Sequence, residues 1–248
     1  MTTPEALEPL SEDWETALAV VAHPDDLEFG SAAAVARWTK QGKRIVYCLL
    51  TSGEAGIDGI PPEESGPLRE EEQRESARIV GVDTVEFLGL PDGVIEYGVP
   101  LRREITRVVR RYKPEIVLTN NFRDHWAGSS TPNQADHIAC GKATLDAVRD
   151  AGNRWVFAEQ ITGERLEKWG GVREVWASGS PGGKHAVDIT DTFEDGVASL
   201  MAHKAYIDGL GWDNFDPAEF LEGLARQTGT RLGVPMAVGF EAINLGWG

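Results

Sequence analysis

The sequence contains few cysteines and no long apolar run. Its two cysteines, Cys48 and Cys140, fall in a predicted strand and a predicted helix, so we expect no disulfide framework. No apolar run is long enough to span a bilayer, and the acidic stretch at residues 1–8 lacks the basic and apolar regions of a signal peptide. We therefore expect a cytoplasmic protein that has no membrane partner.

Basic residues are scarce relative to acidic ones. The chain has 24 Lys and Arg against 40 Asp and Glu, which gives a formal net charge of −16 and a pI near 4.7. Nucleic acids and anionic lipid surfaces are bound by basic patches, so this balance favours a small-molecule partner and argues against nucleic acid. With 41% apolar residues over 248 positions, the chain can bury a substantial core, and we expect one domain over residues 1–248.

Predicted strands and helices alternate along the chain. Strands are predicted at 17–22, 44–51, 84–88, 115–119, 173–178 and 185–189. Helices are predicted at 30–40, 68–80, 100–112, 136–151 and 191–210, and a further helix is predicted to begin at Pro217 with Asp216 as its N-cap. This alternation is typical of an α/β protein and predicts a three-layer Rossmann-like fold with a mostly parallel sheet.

Histidine is also scarce, and one of the five opens the most informative motif. His23-Pro24-Asp25-Asp26 follows the first predicted buried strand, at the strand end where open α/β sheets bind ligands. His137 begins a predicted amphipathic helix. His23, Asp26 and His137 are predicted to meet as a two-histidine, one-carboxylate face that leaves positions open for water and substrate. The alternatives are a plain polar turn at the first motif and a structural histidine at the helix start.

Further motifs follow this one in order along the chain. They are Thr51-Ser52-Gly53-Glu54-Ala55-Gly56, Arg69 with Glu72 ahead of Val80-Gly81-Val82, Phe87-Leu88-Gly89 followed by Asp92, and Asp136-His137. Together with the first motif they resemble the LmbE-like (PIG-L) family of zinc-dependent N-deacetylases, over about residues 17 to 149. The resemblance implies hydrolysis of an N-acetyl group, usually on an N-acetylglucosamine-type sugar, with an N-acetylated small molecule as partner.

The resemblance also implies roles for individual residues. His23, Asp26 and His137 match the zinc ligands, and Asp25 matches the general base. Fe²⁺ or another divalent ion would suit the same donors. Substrate contacts are implied at Arg69 and Asp92. In addition, Glu54 lies in a Gly- and Pro-rich loop where it could hold sugar hydroxyls, although a solvated loop is the alternative.

One position departs from the family pattern. The family has a histidine where this chain has Gln134, and glutamine can donate a hydrogen bond but cannot shuttle a proton. We predict that His125, on the long loop at 120–133, supplies the missing imidazole, with His185 as the weaker candidate. Asp136 is predicted to accept a hydrogen bond from an imidazole N–H.

Two functions of other classes stay open at this stage. His23, Asp25 and His137 also fit the facial triad of non-haem iron oxygenases, although that triad normally sits in a jelly-roll barrel. Gln134 also suits a binding module with a vestigial metal site, although the ligands and the base are intact. The segment at 212–219 is predicted either to close over the substrate or to mediate contact within a homo-oligomer.

Overall fold

The computed structural model describes residues 5–212 and 214–245. The first four residues of the acidic opening, and Asp213 within the segment at 212–219, lie outside the described residues. The strands in the described part are β1 (Glu8–Pro9), β2 (Thr16–Val21), β3 (Arg44–Leu49), β4 (Thr84–Phe87), β5 (Ile116–Asn120), β6 (Glu174–Ser178), β7 (His185–Asp188) and β8 (Ala237–Asn244). The helices there are α1 (Ala32–Lys40), α2 (Pro62–Ile79), α3 (Val99–Tyr112), α4 (Ala135–Gly152), α5 (Ala158–Thr162), α6 (Phe193–Met201), α7 (Lys204–Gly209) and α8 (Pro217–Leu232).

These strands form one sheet in the order β1-β7-β8-β6-β5-β2-β3-β4. The neighbouring pairs are parallel except where β8 pairs with β6 and β7, to both of which it is antiparallel. The predicted α/β fold with a mostly parallel sheet is confirmed. No helix of the described residues has the length and apolar content required to cross a membrane.

Strand β2 is apolar on both faces because helices cover both sides of the sheet. Ala17, Ala19 and Val21 belong to one core cluster, which α1, α6 and α8 also supply. The intervening Leu18 and Val20 belong to a second cluster, to which α3 and α4 contribute. The period of two in a strand thus sends alternate side chains into two cores, which accounts for the continuous apolar run.

Several sequence-based boundaries were wrong. The helix expected at 191–210 is two helices, α6 and α7, separated by Ala202 and His203. His203 is fully buried with φ −82° and ψ 55°, a non-helical conformation that interrupts the helix. Helix α2 begins at Pro62 rather than at residue 68, and β1, α5 and β8 were not predicted.

The order of the strands fixes the place where a ligand can bind. Strand β2 lies between β3 and β5. The connection from β2 leads to β3 and β4 on one side of it, and the chain then crosses to β5 on the other side. This is the topological switch point at which open α/β sheets bind ligands. The segments that follow β2, β4 and β5 meet there, and they carry His23, Asp92 and Gln134.

Candidate metal centre

Asp26 shapes the turn that follows β2. Its Oδ2 accepts hydrogen bonds from the backbone N–H groups of Ala22 and His23, both at 2.9 Å. Its Oδ1 lies 2.9 Å from Nε2 of His137 on the first turn of α4. The carboxylate is buried, so one oxygen holds the turn while the other faces an imidazole.

The partners of His137 determine which of its ring nitrogens is free. Nδ1 of His137 lies 3.2 Å from Oδ1 of Asn133. The amide nitrogen of Asn133 donates to the carbonyl oxygens of Asn121 and Arg123, which fixes the amide with its oxygen toward His137. Nδ1 therefore donates to Asn133, and Nε2 is the ring nitrogen that faces Oδ1 of Asp26.

His23 is held in the opposite sense. Its Nε2 lies 3.0 Å from Oδ1 of Asp92 and 3.3 Å from Oδ2 of Asp136, so Nε2–H donates to carboxylates. Nδ1 is then left on the side of Asp26, whose Oδ2 is 3.8 Å away. A hydrogen bond from Nε2–H of His23 to Asp136 would orient the imidazole, and the role predicted for Asp136 stays a prediction.

Two overlapping groups of donor atoms have a spacing that suits a metal ion. His23, Asp26 and His137 form one, and His23, Asp92 and Asp136 form the other, with the ligand atoms of each within 4.8 Å of one another. Asp136 already accepts from the backbone N–H groups of Gly93 and Ile95, at 2.8 and 3.0 Å. The first group therefore offers the freer lone pairs, and two imidazoles with one carboxylate are a donor set that suits zinc.

The electrostatics of the centre favour a cation. Burial lowers the pKa of His23, but hydrogen bonds to Asp136, Asp26 and Asp92 raise it to about 12. For Asp26, burial raises the pKa, but His137 and His23 lower it strongly on balance. The carboxylates thus attract positive charge at this point, whether it is carried by protons or by a metal ion.

Asp25 lies beside this group in a strained conformation. Its φ is +90°, in the left-handed region that favours glycine, and its N–H donates to Oε1 of Gln73 at 3.0 Å. NH2 of Arg69 lies 2.5 Å from its Oδ2. Burial raises the pKa of Asp25 above its ordinary value, while the charge of Arg69 opposes that shift.

Arg69 and Glu54, expected to touch substrate, have other partners in the structure. Arg69 is 2% exposed, donates to the carbonyl oxygens of Gly53 and Pro24, and lies with its guanidinium 4.1 Å from the ring centroid of Tyr206. Oε1 of Glu54 accepts from the backbone N–H of Asp92 at 2.9 Å. Arg69 still lines the cavity, whereas Glu54 supports Asp92 from behind.

A cavity of about 790 Å³ lies over the centre. Gln134 lines it, as does Trp126, whose ring stands edge-on to His137 with the centroids 5.8 Å apart. His125 is exposed and lines a neighbouring depression instead. His185 begins β7, two strands away from β6, and is not among the residues that line the cavity.

Sequence reasoning missed a buried polar network behind Asp25. Gln73 donates to Oε1 of Glu28 at 2.9 Å, Ser76 donates to the same oxygen at 2.6 Å, and Nε2 of His203 lies 3.6 Å from Oε2 of Glu28. The spacing of Arg69 and Gln73, four residues apart on α2, could have indicated that both face Asp25. No comparable signal connects residue 203 with residue 28.

Comparisons with known proteins agree with this geometry. The profile of the PIG-L family, described as GlcNAc-PI de-N-acetylase, matches residues 18–148. Diacetylchitobiose deacetylase of Thermococcus kodakarensis is 28% identical over 237 residues, covering 93% of this chain and 84% of that protein. A 1D-myo-inositol 2-acetamido-2-deoxy-alpha-D-glucopyranoside deacetylase of Streptomyces scabiei is 27% identical over 247 residues, covering 84% of this chain and 75% of the relative.

Solved structures share the fold. N,N′-diacetylchitobiose deacetylase from Pyrococcus horikoshii matches with a TM-score of 0.84 at 22% identity, covering 94% of this chain and 85% of that one. GalB, a 4-carboxy-2-hydroxymuconate hydratase from Pseudomonas putida, matches with a TM-score of 0.72 at 20% identity, covering 92% and 95%. A deacetylase and a hydratase thus share this architecture, so the fold alone does not select the reaction.

Proposed function

Because the chain belongs to the PIG-L family, we propose that it is a metal-dependent deacetylase that hydrolyses the acetamido group of an N-acetylglucosamine-type sugar or a related amide. The observation that carries the proposal is the cluster of His23, Asp26 and His137, with ligand atoms within 4.8 Å of one another, beside the buried carboxylate of Asp25. The names of the relatives support the same chemistry, since diacetylchitobiose deacetylase acts on an acetylated sugar.

We propose zinc as the ion, held by His23, Asp26 and His137. Two imidazoles and one carboxylate leave room for water and substrate, although Fe²⁺ or another divalent ion suits the same donors. When bound, the ion supplies Lewis acidity, which activates water at neutral pH and polarises the amide carbonyl. Asp92 and Asp136 orient His23 for this task through its Nε2–H.

Asp25 is the proposed general base. Its carboxylate accepts the proton of the attacking water and returns it to the amine nitrogen as the amide bond breaks. Arg69 holds the carboxylate in place, and burial raises the pKa of Asp25, which makes its carboxylate a stronger base toward the attacking water. We propose Gln134, which lines the cavity, as the donor of a hydrogen bond to the oxyanion that develops on the carbonyl.

The geometry disfavours the two other functions. An oxygenase triad needs Asp25 as the ligand, but its Oδ2 is engaged by Arg69, whereas Oδ1 of Asp26 faces His137. A vestigial site would be expected to have lost a ligand or the base. Both the ligand cluster and the buried Asp25 are present in this chain.

Two adjacent carboxylates offer a matched test of the proposal. The measurements are metal content per chain by mass spectrometry and acetate release from a panel of N-acetyl sugars. We expect Asp26→Asn to lose the metal, because a ligand is removed while an oxygen remains to hold the turn. Asp25→Asn should keep the metal and lose turnover by about a hundredfold or more.

The opposite pattern would support an oxygenase: metal retained in Asp26→Asn and lost in Asp25→Asn. If the wild-type protein carries metal but releases acetate from no substrate of the panel, deacetylation of such sugars is ruled out as its function.

A further inference from the structure

Part of the lining of the cavity is apolar. Five side chains line it: Phe29, Leu210, Trp212, Phe220 and Leu224, which we call the apolar wall. They come from the turn after β2, from the segment after α7 and from α8. Three of them are markedly exposed, with 56% of Trp212, 41% of Phe220 and 46% of Leu224 accessible. The wall is therefore a surface that solvent reaches, not a part of the core.

An aromatic cluster makes the wall a built surface. The ring of Phe215 lies 5.0 Å from that of Trp212, 5.7 Å from that of Phe220 and 6.3 Å from that of Phe29, measured between centroids. The rings of Phe29 and Phe220 stand edge to face at 5.9 Å. Such contacts fix the positions of the rings, so the wall keeps its shape without an occupant.

A second cavity adjoins the apolar wall. A second cavity of about 360 Å³ shares Phe29 and Leu224 with the first and extends beneath α8 toward β7 and β8. Phe193, Leu221 and Val238 are among the residues that line this extension. Glu28 and Arg231 also line this second cavity, so its surface is mixed, and the apolar wall belongs to the first cavity.

The titratable groups that line the first cavity come from other elements than the apolar wall, apart from the turn after β2. The charged and imidazole side chains that line it belong to the candidate centre and its supports: His23, Asp25, Asp26, Arg69, Asp92 and His137. The apolar wall offers only aromatic rings and leucine side chains. A sugar ring bound there would lack partners for its hydroxyl groups, whereas a hydrocarbon or aryl group would lose nothing by leaving water.

We propose that the apolar wall is a subsite for an apolar substituent of the amide substrate. The substituent is an alkyl or aryl group, carried either on the acyl chain or on the aglycone of the amino sugar. This inference rests on the proposed function for the reacting end of the substrate. It adds that the substrate is amphiphilic, with a polar amide at the metal centre and an apolar group on the wall.

Two series of substrates test the proposal and identify which part of the substrate carries the apolar group. One series is N-acetyl-, N-butanoyl- and N-hexanoyl-glucosamine; the other is the methyl, butyl and hexyl β-glycosides of N-acetylglucosamine. Burial of hydrocarbon raises affinity by up to about fourfold for each methylene. We expect kcat/KM to rise by about tenfold or more from the shortest to the longest member of one series.

Two tryptophans provide the matched variants. Trp212→Ala removes a ring of the apolar wall and should reduce the ratio of kcat/KM for the longest to the shortest substrate to near one. Trp155→Ala removes a ring that is 81% exposed and lines neither cavity, and it should leave this ratio unchanged. An equal loss in both variants would show a general effect of removing tryptophan and would contradict the assignment.

A binding measurement separates this proposal from the proposed function. Hexyl β-D-glucoside carries the apolar group but no amide, and titration calorimetry compares its binding with that of the methyl glucoside. Tighter binding of the hexyl compound, weakened in Trp212→Ala, supports the wall even if no amide is cleaved.

Equal binding of the two glucosides, together with flat kcat/KM in both series, overturns the proposal. If sedimentation then detects self-association that Trp212→Ala abolishes, the wall is an interface between two copies of the chain.

Discussion

Asp26 uses its two carboxylate oxygens for different tasks. Oδ2 holds the turn after β2 through two backbone N–H groups, and Oδ1 faces His137. The same residue therefore fixes the backbone beside His23 and presents an oxygen to the candidate metal centre. Asparagine can keep the first function because its amide oxygen is an acceptor, but it presents an amide nitrogen toward His137 and loses the second.

Gln134 and His125 differ in what they can reach. Gln134 lines the cavity over the centre, whereas His125 is exposed in a neighbouring depression. We expect Gln134→Ala to lower kcat by about a hundredfold, the scale for removing one donor to an oxyanion. His125→Ala should change kcat by less than about threefold, and both variants should keep their metal.

Steady-state kinetics and metal analysis of the two variants provide the check. A large loss in His125→Ala with full metal content would mean that the 120–133 loop moves His125 over the centre during turnover, as the sequence suggested. A loss of metal in Gln134→Ala would instead assign that residue a structural role.

At the residue scale, the side chains of the candidate site could be predicted more readily than the buried residues that contact them. His23, Asp25, Asp26 and His137 stand in short motifs at a strand end and a helix start, which local patterns locate well. Gln73 and His203 act through partners 48 and 175 positions away in sequence, and no local pattern encodes such contacts. The exposure of His125 depends on the path of a whole loop, which length alone did not predict.

Glu12, in the segment between β1 and β2, forms hydrogen bonds to side chains of α1. Glu12 accepts from Nε and NH2 of Arg37, both at 2.9 Å, and from the indole N–H of Trp38 at 2.7 Å. Burial raises the pKa of Glu12, but Arg37 and its other partners lower it below its ordinary value on balance. The ionised carboxylate therefore stabilises the folded state.

We expect Glu12→Gln to lower the free energy of unfolding by about 1 kcal/mol at pH 7, since charge-assisted hydrogen bonds are weakened. The lowered pKa means that this stabilisation is present above the ordinary pKa of glutamate, about 4.3, and is lost as the pH falls through the folded-state value. Urea titrations of both proteins at several pH values measure the difference. A difference that grows toward acid pH would contradict the assignment.

Helix α4 approaches the segment after β5 closely at Gly141. A Cβ at this position would lie 2.3 Å from Cβ of Phe122, which is 2% exposed. We expect Gly141→Ala to lower the free energy of unfolding by about 1–3 kcal/mol, because neither backbone nor the buried ring can move aside freely.

Gly223 on α8 is the matched control for this substitution. A Cβ there meets nothing within 4 Å, so Gly223→Ala should raise stability by about 0.5–1 kcal/mol through helix propensity. Thermal unfolding of both variants gives the comparison. Equal effects at the two sites would contradict the close approach of α4 to Phe122.

Element types were predictable where periodicity was strong, and boundaries were not. The start of α8 was correct, since Asp216 accepts from the N–H groups of Ala218 and Glu219 as an N-cap. The interruption between α6 and α7 was missed because it depends on the burial of His203 beneath Glu28. Strand β8 was missed because its sequence, Ala-Val-Gly-Phe-Glu-Ala-Ile-Asn, carries a glycine and a glutamate within the apolar positions.

For the whole molecule, the centre concentrates buried negative charge that a metal ion would offset. Asp25, Asp26 and Asp136 are each at most 6% exposed, in a chain whose formal net charge is −16. Zinc that binds the folded chain should raise its free energy of unfolding by about 2.7 kcal/mol at a concentration one hundred times Kd. Chemical denaturation with zinc and with a chelator measures this difference.

Asp26→Asn serves as the control for metal-linked stability. Zinc should stabilise this variant far less, because one ligand atom is absent. An equal stabilisation of both proteins by zinc would place the bound ion elsewhere on the chain.

The class of the whole fold followed from the alternation of strands and helices, but the order of the strands did not. Alternation predicts a parallel sheet with helices on both faces, and the helices do cover both. It says nothing about a strand that returns from the far end of the sequence into the middle of the sheet. That placement depends on pairing of β8 with β6 and β7, whose paired residues lie 49 to 70 positions earlier in the sequence.

The interior position of β8 has a consequence for the way the chain is made. In the described sheet, β7 pairs with β1 and β8, so β1 and β7 join the rest of the sheet only through β8. Five strands pair with one another without β8: β2, β3, β4, β5 and β6. During translation all five are synthesised before β8. One side of the sheet can therefore assemble on the ribosome, while the other waits for residues 237–244 to emerge.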